Sequence, residues 1–260
     1  MTVVDIARFT DDLATRSGQV IMPFFRSALR AEDKSGGHDF DPVTEADRAA
    51  EALMRQMIKA TFPAHGIAGE EFGEESADAD YVWVLDPIDG TKAFISGLPL
   101  WGTLIGLKHK GQPVYGLMHQ PFTEERFVGD GQGARYRGPT GDRALKTRAC
   151  ASLAEATIST TTPHMFKGDA LAAYSRVEEA CRLHRYGYDC YAYCMVAAGH
   201  IDLVIEAGLK PCDIIPLIPI ITGAGGIVTD WQGGPVTDGG SVVVAGDARI
   251  HAAALALLSA

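Results

Sequence analysis

Apolar residues recur at helical spacing from the start of the chain. Ile6, Phe9, Leu13, Val20, Phe24 and Ala28 predict one long helix. Ser35 to Pro42 is polar, contains glycine and predicts a loop. Thr44 is placed to cap a second helix with Ala46, Ala49, Leu53, Met57 and Ala60 along one face, and Pro63 stops it. An acidic stretch from Glu70 to Asp80 reads as a loop. Tyr81-Val-Trp-Val-Leu-Asp86 has strand composition and runs into a turn at Pro87-Ile88-Asp89-Gly90.

Strand patterns then dominate: Thr103 to His109, Val114 to Gln120, and Arg126 to Val128, with Gly111-Gln112 joining the first two as a hairpin. Beyond Cys150 strand and helix alternate. Strands are expected at Ala156 to Thr160, Ile201 to Ile205, Ile227 to Asp230 and Val242 to Ala245. Helices are expected at Asp169 to Leu183, Asp189 to Ala198, Asp213 to Ala224 and Ala248 to Leu258. Paired helices, then strands, then alternation predict two sheet layers sandwiched by helices, in an α+β or layered α/β class. The chain reads as a single unit over 1–260, with an α+β half to about residue 150 and an α/β half from about 151.

Composition narrows the function. The chain has 260 residues, 47% apolar and 22% charged, as expected of a globular protein rather than a disordered one. Its net charge is −10, so no basic excess is available to neutralise a nucleic-acid backbone. Cys150, Cys181, Cys190, Cys194 and Cys212 form no Cys-x-x-Cys pair, and read as reduced, mostly buried thiols of a cytoplasmic protein. Met1 to Arg8 lacks the apolar run of a signal peptide. Leu217 to Val228 is too short and too broken by Pro and Gly to span a bilayer. Neither nucleic acid nor membrane is expected as a partner.

The chemistry sits in acidic residues at segment ends. In Asp86-Pro-Ile-Asp89-Gly-Thr91, rigid Pro87 and flexible Gly90 can aim both carboxylates and the Ile88 carbonyl into one space. Such an all-oxygen set suits Mg²⁺, although Asp-rich turns also occur with no ligand. The N–H groups of Gly90 and Thr91 could cradle a phosphate. Gly69-Glu70-Glu71 opens the acidic stretch and could equally be a solvated charge run. Lys210-Pro-Cys-Asp213 places an aspartate where a helix N-cap would also sit.

Together these residues resemble the inositol-monophosphatase-like family of lithium-sensitive, magnesium-dependent phosphomonoesterases. The resemblance rests on Asp86 to Thr91 with Trp83 ahead, Gly69 to Glu71, Val43-Thr-Glu-Ala-Asp47, and Cys212-Asp213 followed by Gly225 to Val228. The family's Trp before the last aspartate is here Cys212. The resemblance implies an alternating αβαβα sandwich and a homodimer. It implies that Glu70, Asp86 and the Ile88 carbonyl hold one Mg²⁺, and that Asp86, Asp89 and Asp213 hold a second. Glu70 would help place a third. Asp89, Gly90 and Thr91 would bind phosphate. Thr91, hydrogen-bonded to Asp47, would orient and deprotonate the attacking water.

The stretch Phe94-Ile-Ser-Gly-Leu-Pro-Leu-Trp101-Gly-Thr-Leu, and Tyr186 to Tyr193, are similar to the histidinol-phosphatase branch, which serves histidine biosynthesis. That substrate carries an ammonium group, which Asp189 beside Glu206 would pair with; a neutral polyol gains nothing from the second acid. Asp189 could instead be an N-cap, and Trp101 and Tyr188 could be core or pocket wall. His109, His119, His164 and His184 are expected to be structural or at the surface, and His251 near the surface of the last helix. Three functions stay open: a histidinol-phosphatase, another small-molecule phosphatase of this fold, and a non-catalytic metal-binding regulator.

Overall fold

The computed structural model of the chain describes residues 5–27, 32–33 and 42–260. Ala28 and the loop expected from Ser35, apart from Pro42, lie outside them. Helix α1 (Ile6–Ile21) begins at Asp5, whose carboxylate accepts the N–H groups of Ala7 and Arg8. It is shorter than its apolar pattern suggests. Pro23 has no N–H and its ring clashes with the preceding turn, so Met22–Phe24 tightens to a 3₁₀ turn. Two short strands, β1 (Glu32–Asp33) and β2 (Pro42–Val43), pair before α2 (Glu45–Thr61). Thr44 caps α2 in a reciprocal capping box with Asp47.

The first sheet comprises β3 (Gly66–Gly69), β4 (Gly73–Glu75), β5 (Tyr81–Asp89), β6 (Gly102–His109), β7 (Gln112–Gln120), β8 (Glu125–Gly129), β9 (Ala134–Gly138) and β10 (Gly141–Ala144), with α3 (Thr91–Ile95) between β5 and β6. Its order is β10-β9-β8-β7-β6-β5-β3-β4, antiparallel except where β3 runs parallel to β5. The second sheet has the order β12-β11-β13-β15-β14. It is built from β11 (Thr157–Thr160), β12 (Leu183–Tyr186), β13 (Leu203–Leu209), β14 (Ile227–Asp230) and β15 (Gly240–Ala245). Among these run α4 (Asp169–Ala180), α5 (Cys190–Ala197), α6 (Pro211–Ile214), α7 (Ile218–Gly223) and α8 (Ala248–Leu258).

Side-chain alternation along the strands sorts these elements into five layers. Leu13 and Ala14 of α1, with Met54 and Ile58 of α2, pack on Ile67, Trp83, Leu85 and Ile105 of the first sheet. Its other face, through Leu104, Met118 and Phe127, meets Tyr193 and Val196 of α5 and Ile220 and Ile221 of α7. These helices also cover Val204, Val242 and Val244 of the second sheet, so one core draws on both halves of the chain. Leu203, Ile205 and Val243 point the opposite way, onto Tyr174 and Val177 of α4 and Ile250 and Ala254 of α8. The result is the expected αβαβα sandwich.

Several elements differ in detail from the expectation. The buried face of α2 is Ala46, Ala50, Met54 and Ile58, rotated from the Ala49-Leu53-Met57 stripe, because Asp47, Glu51 and Arg55 are buried beside it. The acidic stretch contains the exposed edge strand β4. The strands β9, β10 and β12 went unread because polar or glycine residues break their apolar pattern. The helix expected from Asp213 to Ala224 is two, since Pro216 and Pro219 interrupt the donor ladder. His251 is buried rather than near the surface, with its Nε2 2.9 Å from the Thr229 hydroxyl.

Candidate active site

Strand β5 delivers the first acidic pair. A bulge lies between Asp86, paired with Leu104, and Asp89, paired with Gly102: three steps on β5 match two on β6. In a regular strand residues three apart face opposite sides; the extra residue brings both carboxylates to one side. The expected turn at Pro87 is therefore strand through Asp89, and the chain turns at Gly90. Gly90 has φ +85°, and a Cβ there would lie 2.8 Å from the Leu100 carbonyl oxygen. The Asp86 carboxylate accepts the Ile88 N–H at 3.0 Å, and Ile88 is wholly buried.

Helix α2 positions Glu70. Buried Glu51 accepts the N–H of Glu71 at 2.7 Å and of Phe72 at 3.2 Å, while Arg55 donates to Glu51 at 2.8 Å and also to the Gly73 carbonyl. A Cβ on Gly69 would stand 2.0 Å from Glu51 Oε1, so only glycine allows this clamp. Asp213 comes from the first turn of α6, where its carboxylate accepts the Lys210 N–H at 2.7 Å. Asp213 thus caps its turn with one oxygen and still faces the cluster. The Lys210 ammonium lies 3.0 Å from Glu70.

Asp86, Asp89 and Asp213 bring carboxylate oxygens within 4.8 Å of one another; so do Glu70 and Asp86 together with the thiol of Cys212. Burial, then mutual repulsion, pushes the carboxyls of Asp86 and Asp89 well above the usual range, and Asp213 is raised too. Four acids converging in this way fit a hard divalent cation, because its charge relieves the repulsion and its preferred donors are oxygen. No helix among the described residues is long and apolar enough to cross a membrane.

The acids open into a cleft of 260 Å³ that Gly90, Thr91, Lys92, Asp189, Tyr193, Glu206 and Lys210 also line. Asp189 occupies the N-cap position of α5 but makes no side-chain cap bond, and its φ is +44°. Gly187 before it also has positive φ. Burial pushes Asp189 up to about 6 against the pull of Lys92, and Glu206 up to about 8 against the N–H of Thr161, which Glu206 accepts at 2.6 Å.

One expected contact is replaced. The Thr91 hydroxyl donates to the Ile88 carbonyl at 3.1 Å, not to Asp47. Asp47 instead accepts the N–H of Thr44 at 2.8 Å and its hydroxyl at 2.5 Å. The capping box explains this: Asp47 is the third residue of α2 and reaches back to its own N-cap. Burial raises Asp47 to about 7.

Trp101 is fully buried beside Phe94 and Phe25, hence core, whereas Tyr188 is half-buried with its hydroxyl accepting from Arg185. Glu51, Arg55, Lys92 and Tyr193 are site or supporting residues that the sequence did not single out. Asp47, Glu51 and Arg55 recur every four residues, a polar stripe that would have marked a buried network on α2. Nothing local marks Lys92 or Tyr193.

Comparison with known proteins places this arrangement. The profile of the inositol monophosphatase family matches residues 4–260. The chain is 47% identical over 257 residues to the bifunctional phosphatase IMPL2, chloroplastic, of Arabidopsis thaliana, covering 94% of this chain and 72% of that protein. It is 33% identical to a histidinol-phosphatase of Chlorobaculum parvum, covering 91% of this chain and 90% of that one. Among solved structures, an inositol monophosphatase from Zymomonas mobilis superposes with a TM-score of 0.87 at 40% identity, covering 97% of both chains.

Proposed function

The chain belongs to the inositol monophosphatase family and is by that membership a phosphatase, and from this we propose that it hydrolyses histidinol phosphate to histidinol and phosphate with Mg²⁺. The observation that carries the substrate is the pair Asp189 and Glu206, one half-buried and one fully buried acid that line the same cleft as the carboxylate cluster. Asp189 is free of capping duty. A substrate bringing an ammonium group pairs with that acid by a charge-assisted hydrogen bond, whereas a polyol phosphate offers it only the weaker bonds of neutral hydroxyls. The likeness to the Chlorobaculum parvum histidinol-phosphatase supports the same substrate.

Glu70, Asp86, the Ile88 carbonyl, Asp89 and Asp213 would hold two to three Mg²⁺. Such ions, when bound, make hydroxide available near neutral pH and offset charge on the leaving alkoxide. The chain's own groups do the rest. Gly90 and Thr91, opening α3, offer N–H groups to the phosphate, with Asp89 beside them. Asp47, raised to about 7, is poised to take a proton near neutral pH. For Thr91 to relay its proton to Asp47, its hydroxyl has to leave the Ile88 carbonyl. Lys210, 3.0 Å from Glu70, would have to give way for Glu70 to hold a cation.

The family resemblance extends the proposal to a homodimer, and the five free, buried cysteines extend it to a cytoplasmic one. A second reading, inositol monophosphate as substrate, is favoured by the Zymomonas mobilis structure. A phosphate-release panel with Mg²⁺ decides between them: histidinol phosphate should exceed inositol 1-phosphate by about tenfold in kcat/KM, about 1.4 kcal/mol in the transition state. The reverse order overturns the substrate, and no release from any ester leaves the non-catalytic metal-binding regulator.

A further inference from the structure

Two buried polar atoms of the cleft have no partner among the described residues: the phenol oxygen of Tyr193 and Oε2 of Glu206. Tyr193 is 3% exposed and Glu206 1%. They belong to different elements, α5 and β13. Glu206 shares a strand face with Val204, two residues before it, and Val204 lies in the same core as Tyr193. Both residues line the cleft that holds the carboxylate cluster. Burying one such atom unpaired costs about 1–3 kcal/mol, and the protein carries two in one cleft.

These atoms can take complementary roles. The phenol can donate or accept, and Oε2 of Glu206 accepts when ionised and donates when protonated. A neutral imidazole presents one ring nitrogen that accepts and one N–H that donates. Met165, Ala207 and Leu209 also line the cleft and give it apolar surface that suits a flat ring. A ring of hydroxyls would leave donors and acceptors unpaired against that wall.

We infer that Tyr193 is a specificity-determining residue whose phenol, together with Glu206, grips the imidazole of the substrate, leaving Asp189 for the amine. This rests on the substrate reading above and adds a residue and a division of labour to it.

Tyr193→Phe tests it, since the change removes one oxygen and keeps the ring packed. Steady-state kinetics are measured for wild type and variant on histidinol phosphate and on phosphoethanolamine, an amino-alcohol phosphate without the ring. The ratio of kcat/KM on the first to that on the second is expected to fall about tenfold in the variant, the worth of one net hydrogen bond. The Tm is expected to hold or rise, because an unpaired buried hydroxyl is gone. An unchanged ratio, or equal losses on both esters with a lower Tm, makes Tyr193 structural and overturns the inference while the substrate reading stands. A wild type that does not turn over histidinol phosphate overturns the reading and the imidazole contact together.

Discussion

The carboxylate of Asp89 accepts the backbone N–H of Cys190 at 2.6 Å. This bond joins the end of β5, in the first sheet, to the start of α5, packed between the sheets. It gives Asp89 a partial positive charge from the helix N-terminus to set against the neighbouring acids. Asp189, next to Cys190, is thereby fixed over the same cleft. The cluster is thus assembled from strand and helix ends rather than from a mobile loop, and its energetics yield direct tests.

Removing metal should cost both activity and stability. Asp86, Asp89 and Asp213 repel one another when ionised, and a bound cation replaces that repulsion with attraction. Phosphate release should vanish in excess EDTA and return with Mg²⁺. Saturating Mg²⁺ should raise the Tm by several degrees, since binding at about 100 Kd adds about 2.7 kcal/mol. Full activity in excess EDTA would refute the metal assignment.

Asp213→Asn should abolish turnover while the fold persists. Its amide oxygen can still accept the Lys210 N–H, now at 2.7 Å, but one negative ligand is lost. Circular dichroism and kinetics at limiting Mg²⁺ check this; wild-type turnover would reduce Asp213 to a cap.

Glu51→Gln should loosen the Glu70 segment from behind. Glu51 is fully buried and accepts from Glu71, Phe72 and Arg55. Among the described residues Arg55 would keep only the more distant Glu75, at 3.8 Å, as an ionic partner, and the loss of its close buried partner costs up to about 3 kcal/mol. Denaturant unfolding should show that loss, and calorimetry should show weaker Mg²⁺ binding in the surviving folded protein. Unaltered metal affinity would separate the clamp from the site.

The metal-free protein should lose stability as pH rises. Asp47, Asp189 and Glu206 are raised to about 7, about 6 and about 8. Between the unfolded and folded values the folded state holds more protons, so unfolding free energy falls with pH. The penalty is absent below about pH 4 and complete above about pH 8. In chelator, Tm should therefore be lower at about pH 8.5 than at about pH 5.5. A rising Tm over that range would show that these acids are not raised.

Asp189→Asn should weaken histidinol phosphate while p-nitrophenyl phosphate changes much less. Comparing the two esters on one variant cancels general damage to the fold. Proportionate losses on both would mean that Asp189 only shapes the start of α5.

The sequence by itself determined the layers and the acids. Apolar periodicity marked α1, α2, α8 and strands β5 to β7, because burial on one face imposes a spacing that survives in one dimension. The motifs around Glu70, Asp86, Asp89 and Asp213 were legible because turn residues and carboxylates sit close together in the chain. What joined those motifs was decided only in three dimensions. Glu51 reaches Glu71 across 20 positions, Lys210 reaches Glu70 across 140, and Asp89 meets Cys190 across 101. The bulge that puts Asp86 and Asp89 on one side depends on pairing with β6, and the choice of Thr44 over Thr91 by Asp47 depends on where α2 begins. Such contacts depend on burial and direction rather than local propensity. A buried charge costs too much to stand alone, so the tertiary fold dictates its partner.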